Sequence, residues 1–281
     1  MSIDEKNHPH RREVLQQGWA LGWALAVSPV TAFAQKSASD DVVVKDIRLS
    51  VEGGTLPVYT ARPKGKGPFP AVLVIQEIFG IHAYIQDVCR RLAREGYLAA
   101  APDLYFRQGD ATKIADIATL RSTIVDKTPQ TQVWADVDAT ARWIAKEGGG
   151  APGRLAITGF CWGGNVTWSY AAHNPAVKAG VAWYGKLSET AGPAPKQTPI
   201  ELAPKLTVPV LGLYGAKDGG IPLKDVEAMR AVLGKGKSGS RIDVYPEADH
   251  GFHADYRPSF HAESAADGWK KLLAWFREHG V

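Results

Sequence analysis

The segment that most constrains the fold is Arg154-Leu155-Ala156-Ile157-Thr158-Gly159-Phe160-Cys161-Trp162-Gly163-Gly164. An apolar strand runs into G-x-C-x-G-G, and a helical pattern follows, so the glycines must carry the chain through a sharp strand-to-helix turn. Glycine suits that turn because it tolerates backbone angles that a side chain forbids and brings no Cβ to strike the neighbouring turn. Cys161 then sits at the apex, at the positive end of the following helix. That field, with a nearby histidine, favours thiolate over thiol. The same residues also fit a Gly-rich turn that holds a buried, inert cysteine, and the turn alone does not choose between the two.

The chain around this turn repeats one pattern. Ala71-Val72-Leu73-Val74-Ile75 is a continuous apolar run, the mark of a strand covered on both faces, and Ile85, Val88, Cys89 and Leu92 then recur at helical spacing. Further strands are expected at Tyr97 to Ala101, Arg154 to Thr158, Ala179 to Tyr184, Val208 to Tyr214 and Arg241 to Tyr245, with helical stretches between most of them. This alternation predicts an α/β fold: a mostly parallel sheet with helices on both faces. Val42 to Val51 and Leu56 to Ala61 flank Glu52-Gly53-Gly54, so the sheet should open with an antiparallel hairpin. There is no internal repeat, and the Pro-rich stretch from Gly192 to Pro209 reads as a surface excursion. Residues 35–281 are therefore expected to form one domain.

Composition narrows the class. With 45% hydrophobic and 22% charged residues, the chain of 281 residues resembles a soluble globular protein and not a disordered or fibrous one. Its net charge of +4 includes no basic block, so nucleic acid is not an expected partner. Cys89 and Cys161 match neither a disulfide framework nor a zinc pattern. His253 and Asp255, close to His250, lack a third ligand at characteristic spacing, so no metal or cofactor is expected.

Residues 1–34 read as an address. His10-Arg11-Arg12-Glu13-Val14-Leu15 precedes the uncharged run from Gly18 to Val27, and Ala32-Phe33-Ala34 offers a small-x-small cleavage site. The arginine pair followed by Val14-Leu15 resembles a twin-arginine export signal, with His10 and Gln16 in place of the usual Ser/Thr and Lys flanks. The apolar stretch is shorter than the ~20 residues that span a bilayer. A signal that engages the export machinery and is cleaved after Ala34, a periplasmic location and no stable membrane span are the expectations.

Two later segments bear on Cys161. The strand from Val208 leads into Gly215-Ala216-Lys217-Asp218, and the strand ending at Tyr245 leads into Pro246-Glu247-Ala248-Asp249-His250-Gly251-Phe252. Taken singly, Asp218 in Lys-Asp-Gly-Gly is good turn chemistry, and His250 fits a loop histidine. Taken together, Cys161, Asp218 and His250 follow the order nucleophile, acid, histidine, each just past a strand's carboxyl end.

With Gln76-Glu77-Ile78-Phe79-Gly80 and Pro102-Asp103-Leu104-Tyr105, these segments resemble the dienelactone hydrolase family over nearly all of Val42 to Val281. The resemblance implies an α/β-hydrolase fold and a hydrolase that cleaves a small ester or lactone of the dienelactone (carboxymethylenebutenolide) type. In this reading Cys161 attacks the carbonyl, His250 transfers protons, Asp218 orients His250, and water cleaves the acyl intermediate. The backbone N–H groups of Trp162 and Ile78 form the oxyanion hole. Glu77 contacts the resting thiol by the same resemblance, and a carboxylate at a buried strand end is expected to have a raised pKa and to exchange a proton with it. A helix amino-terminal carboxylate held by the dipole fits Glu77 as well.

Arg107 matches the arginine that holds the substrate carboxylate; an exposed loop arginine is the plain alternative. The family's second arginine falls on Ala254, with Arg257 nearby as a substitute, and this departure puts the family's type substrate in question. Trp162, Trp168 and Trp183 read as core before substrate platform, and Cys89 reads as a buried small hydrophobe. The rival readings are a general carboxylesterase for neutral esters and a non-catalytic thiol or binding protein on the same fold.

Overall fold

Val42–Val51 (β1) turns back through Glu52-Gly53 into Gly54–Pro63 (β2), antiparallel, with Val42 opposite Pro63 and Val51 opposite Gly54. Gly53 takes φ +77°, a conformation that glycine adopts without strain. The computed structural model describes residues 41–188 and 197–281. The expected export segment and part of the Pro-rich excursion lie outside the described residues.

Six further strands complete the sheet: Phe69–Ile75 (β3), Leu98–Pro102 (β4), Gly150–Phe160 (β5), Ala179–Trp183 (β6), Val210–Gly215 (β7) and Arg241–Tyr245 (β8). Their order is β1-β2-β4-β3-β5-β6-β7-β8, antiparallel from β1 to β4 and parallel from there to β8. In β4, β6 and β7 every residue is buried. This is why their sequences do not alternate: a parallel strand covered on both faces has no side for polar residues. β5 begins earlier than its apolar run suggests because Phe69 of β3 already pairs with Gly150.

The connections are helices: Ala83–Arg94 (α1), Ile117–Thr123 (α2), Gln130–Trp143 (α3), Trp162–His173 (α4), Pro199–Leu202 (α5), Leu223–Leu233 (α6) and, after β8, Ala262–Glu278 (α7). Going from β3 to β4 the chain steps one way across the sheet, and going to β5 it jumps back over β3. Crossovers between parallel strands are right-handed, so this reversal sends α1 to one face and α3, α4 and α6 to the other. The contacts agree. Asp138 of α3 accepts from Tyr170 of α4 at 2.7 Å, while on the other face Phe276 of α7 meets the Tyr97 ring behind α1 and Arg91 of α1 lies over Trp269 of α7. The reversal leaves a crevice outside the carboxyl ends of β3 and β5, the position where open α/β sheets bind ligands.

Candidate active site

The elbow follows from close backbone approach. A Cβ at Gly159 would stand 2.2 Å from the Gly163 carbonyl oxygen, and one at Gly163 would stand 2.5 Å from the carbonyl oxygens of both Ile75 and Gln76. One at Gly164 would meet the Trp183 oxygen at 2.4 Å. The start of α4 is therefore wedged between the ends of β3 and β6, and only glycine fits. Between these glycines Cys161 is held at φ +54°, ψ −114°, a conformation that a side-chain-bearing residue keeps only when its surroundings impose it. Its amide donates to the Trp183 carbonyl at 3.0 Å.

Asp218 comes from the loop after β7. Its Oδ1 accepts from the Gly220 and Ile221 amides at 2.8 and 3.1 Å, which fixes the carboxylate and leaves Oδ2 for His250 Nδ1 at 2.8 Å. His250, from the loop after β8, lies with Nε2 3.1 Å from Cys161 Sγ, and Ser259 donates to its carbonyl at 2.7 Å. The three side chains that the sequence places at separate strand ends thus form one buried line. Burial alone would lower the His250 pKa, but the Asp218 carboxylate and the Cys161 sulfur outweigh it and push it up to about 10.

Glu77 follows β3 and has no solvent exposure. Oε1 accepts from Arg257 Nη2 at 2.8 Å, and Oε2 accepts from Tyr256 at 2.5 Å and His82 Nε2 at 3.2 Å. Burial would raise its pKa; the Arg257 guanidinium, with His82 and Tyr256, reverses the sign and holds it at about 2. This corrects the expected raised pKa. Both carboxylate oxygens serve the Arg257 network, while the Cys161 sulfur meets His250.

Arg257 is brought to this cluster, 5% exposed, and its guanidinium also faces the Phe79 and Tyr256 rings. Arg107 is not. Its Nη1 and Nη2 donate to Asp136 at 2.6 and 3.0 Å, and its Nε and Nη2 donate to the Glu52 carbonyl, so it ties the β1–β2 turn to α3. In this structure the guanidinium expected to grip a substrate carboxylate is engaged by the buried Asp136 carboxylate of α3.

Ile78 directly follows Glu77, and Trp162 is the first residue of α4, where backbone amides have no acceptor within the helix. Trp168 and Trp183 are fully buried in the core; Trp162 packs its ring on Tyr105, centroids 5.0 Å apart. Cys89 is fully buried in α1, and burial pushes its thiol far up. His253 is stacked between aromatic rings with Nδ1 2.5 Å from Tyr84 Oη, and burial drives its pKa well below the usual range. Among the described residues no group of three or more His, Cys, Asp or Glu side chains is placed to hold a metal ion. No described helix is long and apolar enough to cross a membrane.

Sequence reasoning missed His82, Tyr84 and Tyr256, the polar aromatics that hold Glu77 and its neighbours. Tyr256 adjoins Arg257 and His82 stands five residues beyond Glu77, but neither spacing carries a signature of its own.

The strand order, the elbow and the residues that converge on it define an α/β-hydrolase. The sequence pattern of the "Dienelactone hydrolase family" matches residues 56–280. A relative in Escherichia coli, named "Putative carboxymethylenebutenolidase", is 51% identical over 261 residues, covering 92% of this chain and 96% of the relative. One of the same name in Methylorubrum extorquens is 49% identical over 275 residues, with 96% and 94% covered. The crystal structure of a "Putative Dienelactone Hydrolase" from Klebsiella pneumoniae superposes with a TM-score of 0.81 at 53% identity, over 84% of this chain and 99% of that one. The chain belongs to the dienelactone hydrolase family and is a hydrolase of that kind.

Proposed function

We propose that the protein cleaves a small ester or lactone through an acyl-enzyme on Cys161. The observation that carries this reading is the buried line from Asp218 Oδ2 through His250 to Cys161 Sγ, at 2.8 and 3.1 Å. His250, oriented by Asp218, lies within hydrogen-bond reach of the sulfur and is placed to take the thiol's proton as the thiolate nucleophile forms. The thiolate attacks the carbonyl carbon, and the developing oxyanion accepts from the Trp162 and Ile78 amides. As the tetrahedral intermediate collapses, His250 gives its proton to the leaving alkoxide oxygen and a thioester remains. His250 then takes a proton from water as that water attacks; the acid leaves and the thiolate returns. Glu77 touches none of the reacting atoms in this scheme. Its negative charge, matched by Arg257, fixes the loop that carries Ile78.

The test uses the two thiols. Limiting iodoacetamide is expected to alkylate Cys161 and spare Cys89, which is buried with a raised pKa. Cys161→Ala is expected to lower p-nitrophenyl acetate hydrolysis by about a thousandfold or more. Preferential labelling of Cys89, or full activity in Cys161→Ala, would remove Cys161 as the nucleophile.

A further inference from the structure

Three neighbouring strand ends each carry a buried donor that meets no partner among the described residues: Gln76 Nε2 after β3, Tyr105 Oη after β4 and Trp162 Nε1 after β5. Gln76 and Tyr105 are fully buried, and Trp162 is 7% exposed. Folded proteins leave few buried polar atoms unpaired, because each forfeits its hydration without replacement. Three such atoms on adjacent strands at one end of the sheet, beside the proposed nucleophile, need a common explanation.

Their surroundings hold them in place. The Leu104 amide donates to Gln76 Oε1 at 3.3 Å, so the side-chain amide is locked against the β4 loop with its NH2 end left over. The Tyr105 and Trp162 rings lie 5.0 Å apart, tilted by 50°, and Trp162 is the residue next to Cys161. Burial first, then the charge at Cys161, pushes the Tyr105 phenol well above its usual range. It therefore keeps its proton to donate.

All three donors are uncharged, and that selects the ligand. A carboxylate brought here would need a cation to offset its lost hydration. Both candidate arginines already face buried carboxylates, Arg257 on Glu77 and Arg107 on Asp136. A ketone, ether or second ester carbonyl asks only for hydrogen bonds.

We propose that Gln76, Tyr105 and Trp162 form a donor wall beside Cys161 that recognises an uncharged acceptor oxygen on the acyl group. The substrate class is then neutral oxo- or alkoxy-substituted esters and lactones, not carboxylate-bearing ones. The proposal rests on the reading of Cys161 as nucleophile, which fixes where the acyl group lies.

Three esters of one alcohol and similar acyl length separate the possibilities: p-nitrophenyl levulinate, with a chain ketone; the valerate, without it; and the succinate monoester, with a carboxylate. The wild type is expected to favour levulinate over valerate in kcat/KM by about tenfold, the size of one or two neutral hydrogen bonds, and to disfavour the succinate. Tyr105→Phe should bring the levulinate-to-valerate ratio close to one. A wild-type ratio near one, a ratio unchanged in Tyr105→Phe, or a preference for succinate overturns the proposal. Because the hydroxyl meets no partner among the described residues, Tyr105→Phe should melt at the same or a higher temperature; a clear drop reveals a structural partner and also overturns it. If the wild type cleaves none of the three esters, the proposed acyl-enzyme chemistry at Cys161 fails separately. The wall is then judged by calorimetric binding of methyl levulinate against methyl valerate, where equal affinity sinks it.

Discussion

Glu77 is a carboxylate whose two oxygens are both taken, by Arg257 on one side and by Tyr256 and His82 on the other. Its pKa falls from an ordinary 4.5 to about 2 on folding. The stabilisation linked to that fall, on the order of 3 kcal/mol, is fully present above pH 4.5 and is lost as the pH drops toward 2. Arg257→Leu leaves the carboxylate buried without its cation and should cost about 3 to 5 kcal/mol at neutral pH. The cost should shrink in acid, where Glu77 takes up a proton. Glu77→Gln combined with Arg257→Leu should recover much of the loss. Urea denaturation of Arg257→Leu, Glu77→Gln and the double variant at pH 7 and pH 4 checks this, and a single variant as stable as the wild type would show that the pair is not matched. The partner of Glu77 was not legible beforehand. Arg257 lies 180 residues further on, and no periodicity links two residues that meet only when β3 and the loop after β8 are brought together. Cys161, Asp218 and His250 were legible as candidates because each lies within one to five residues of a strand's carboxyl end, so the sheet itself delivers them to one edge.

At the scale of an element, the turn from β5 into α4 joins a strained residue to three glycines that hold it. Gly163→Ala drives a Cβ against two backbone carbonyl oxygens at 2.5 Å, neither of which can swing aside. Overpacking of this kind costs about 1 to 3 kcal/mol where side chains can yield, and rigid backbone puts the expected loss at or above the upper end. Gly219 is the control: nothing lies within 4 Å of a Cβ there, so Gly219→Ala should be neutral or raise stability by about 0.4 to 1 kcal/mol. Thermal melts of the two proteins decide the matter, and equal midpoints would mean that the elbow is softer than its contacts suggest. The need for glycine at these positions could be read from G-x-C-x-G-G. What each glycine touches could not, since Ile75, Gln76 and Trp183 belong to other strands. The apolar runs of β3, β6 and β7 were legible for the same reason that they do not alternate, and strand ends were misjudged by a few residues where pairing continues past the apolar run.

At the scale of the molecule, the switch in strand order puts the candidate site over β3 and β5 and leaves the β1–β2 hairpin at the far edge of the sheet. Arg107 belongs to the edge. From the loop after β4 it grips the Glu52 carbonyl in the hairpin turn and the Asp136 carboxylate in α3, joining three segments distant in sequence. Burial raises the Asp136 pKa, and Arg107 pulls the other way without cancelling it. Removing Arg107 therefore strands a buried carboxyl and cuts the hairpin loose, and Arg107→Ala should destabilise the protein by roughly 3 kcal/mol. Because the guanidinium is committed to the Asp136 carboxylate and the Glu52 carbonyl, the ratio of kcat/KM for succinate and valerate p-nitrophenyl esters should stay at its wild-type value while the melting temperature falls. Pairing Arg107→Ala with Asp136→Asn should restore part of the stability and again leave the ratio alone. If instead the ratio drops in Arg107→Ala at unchanged melting temperature, the guanidinium reaches the substrate, and the family's carboxylate-binding arginine is present in this chain after all.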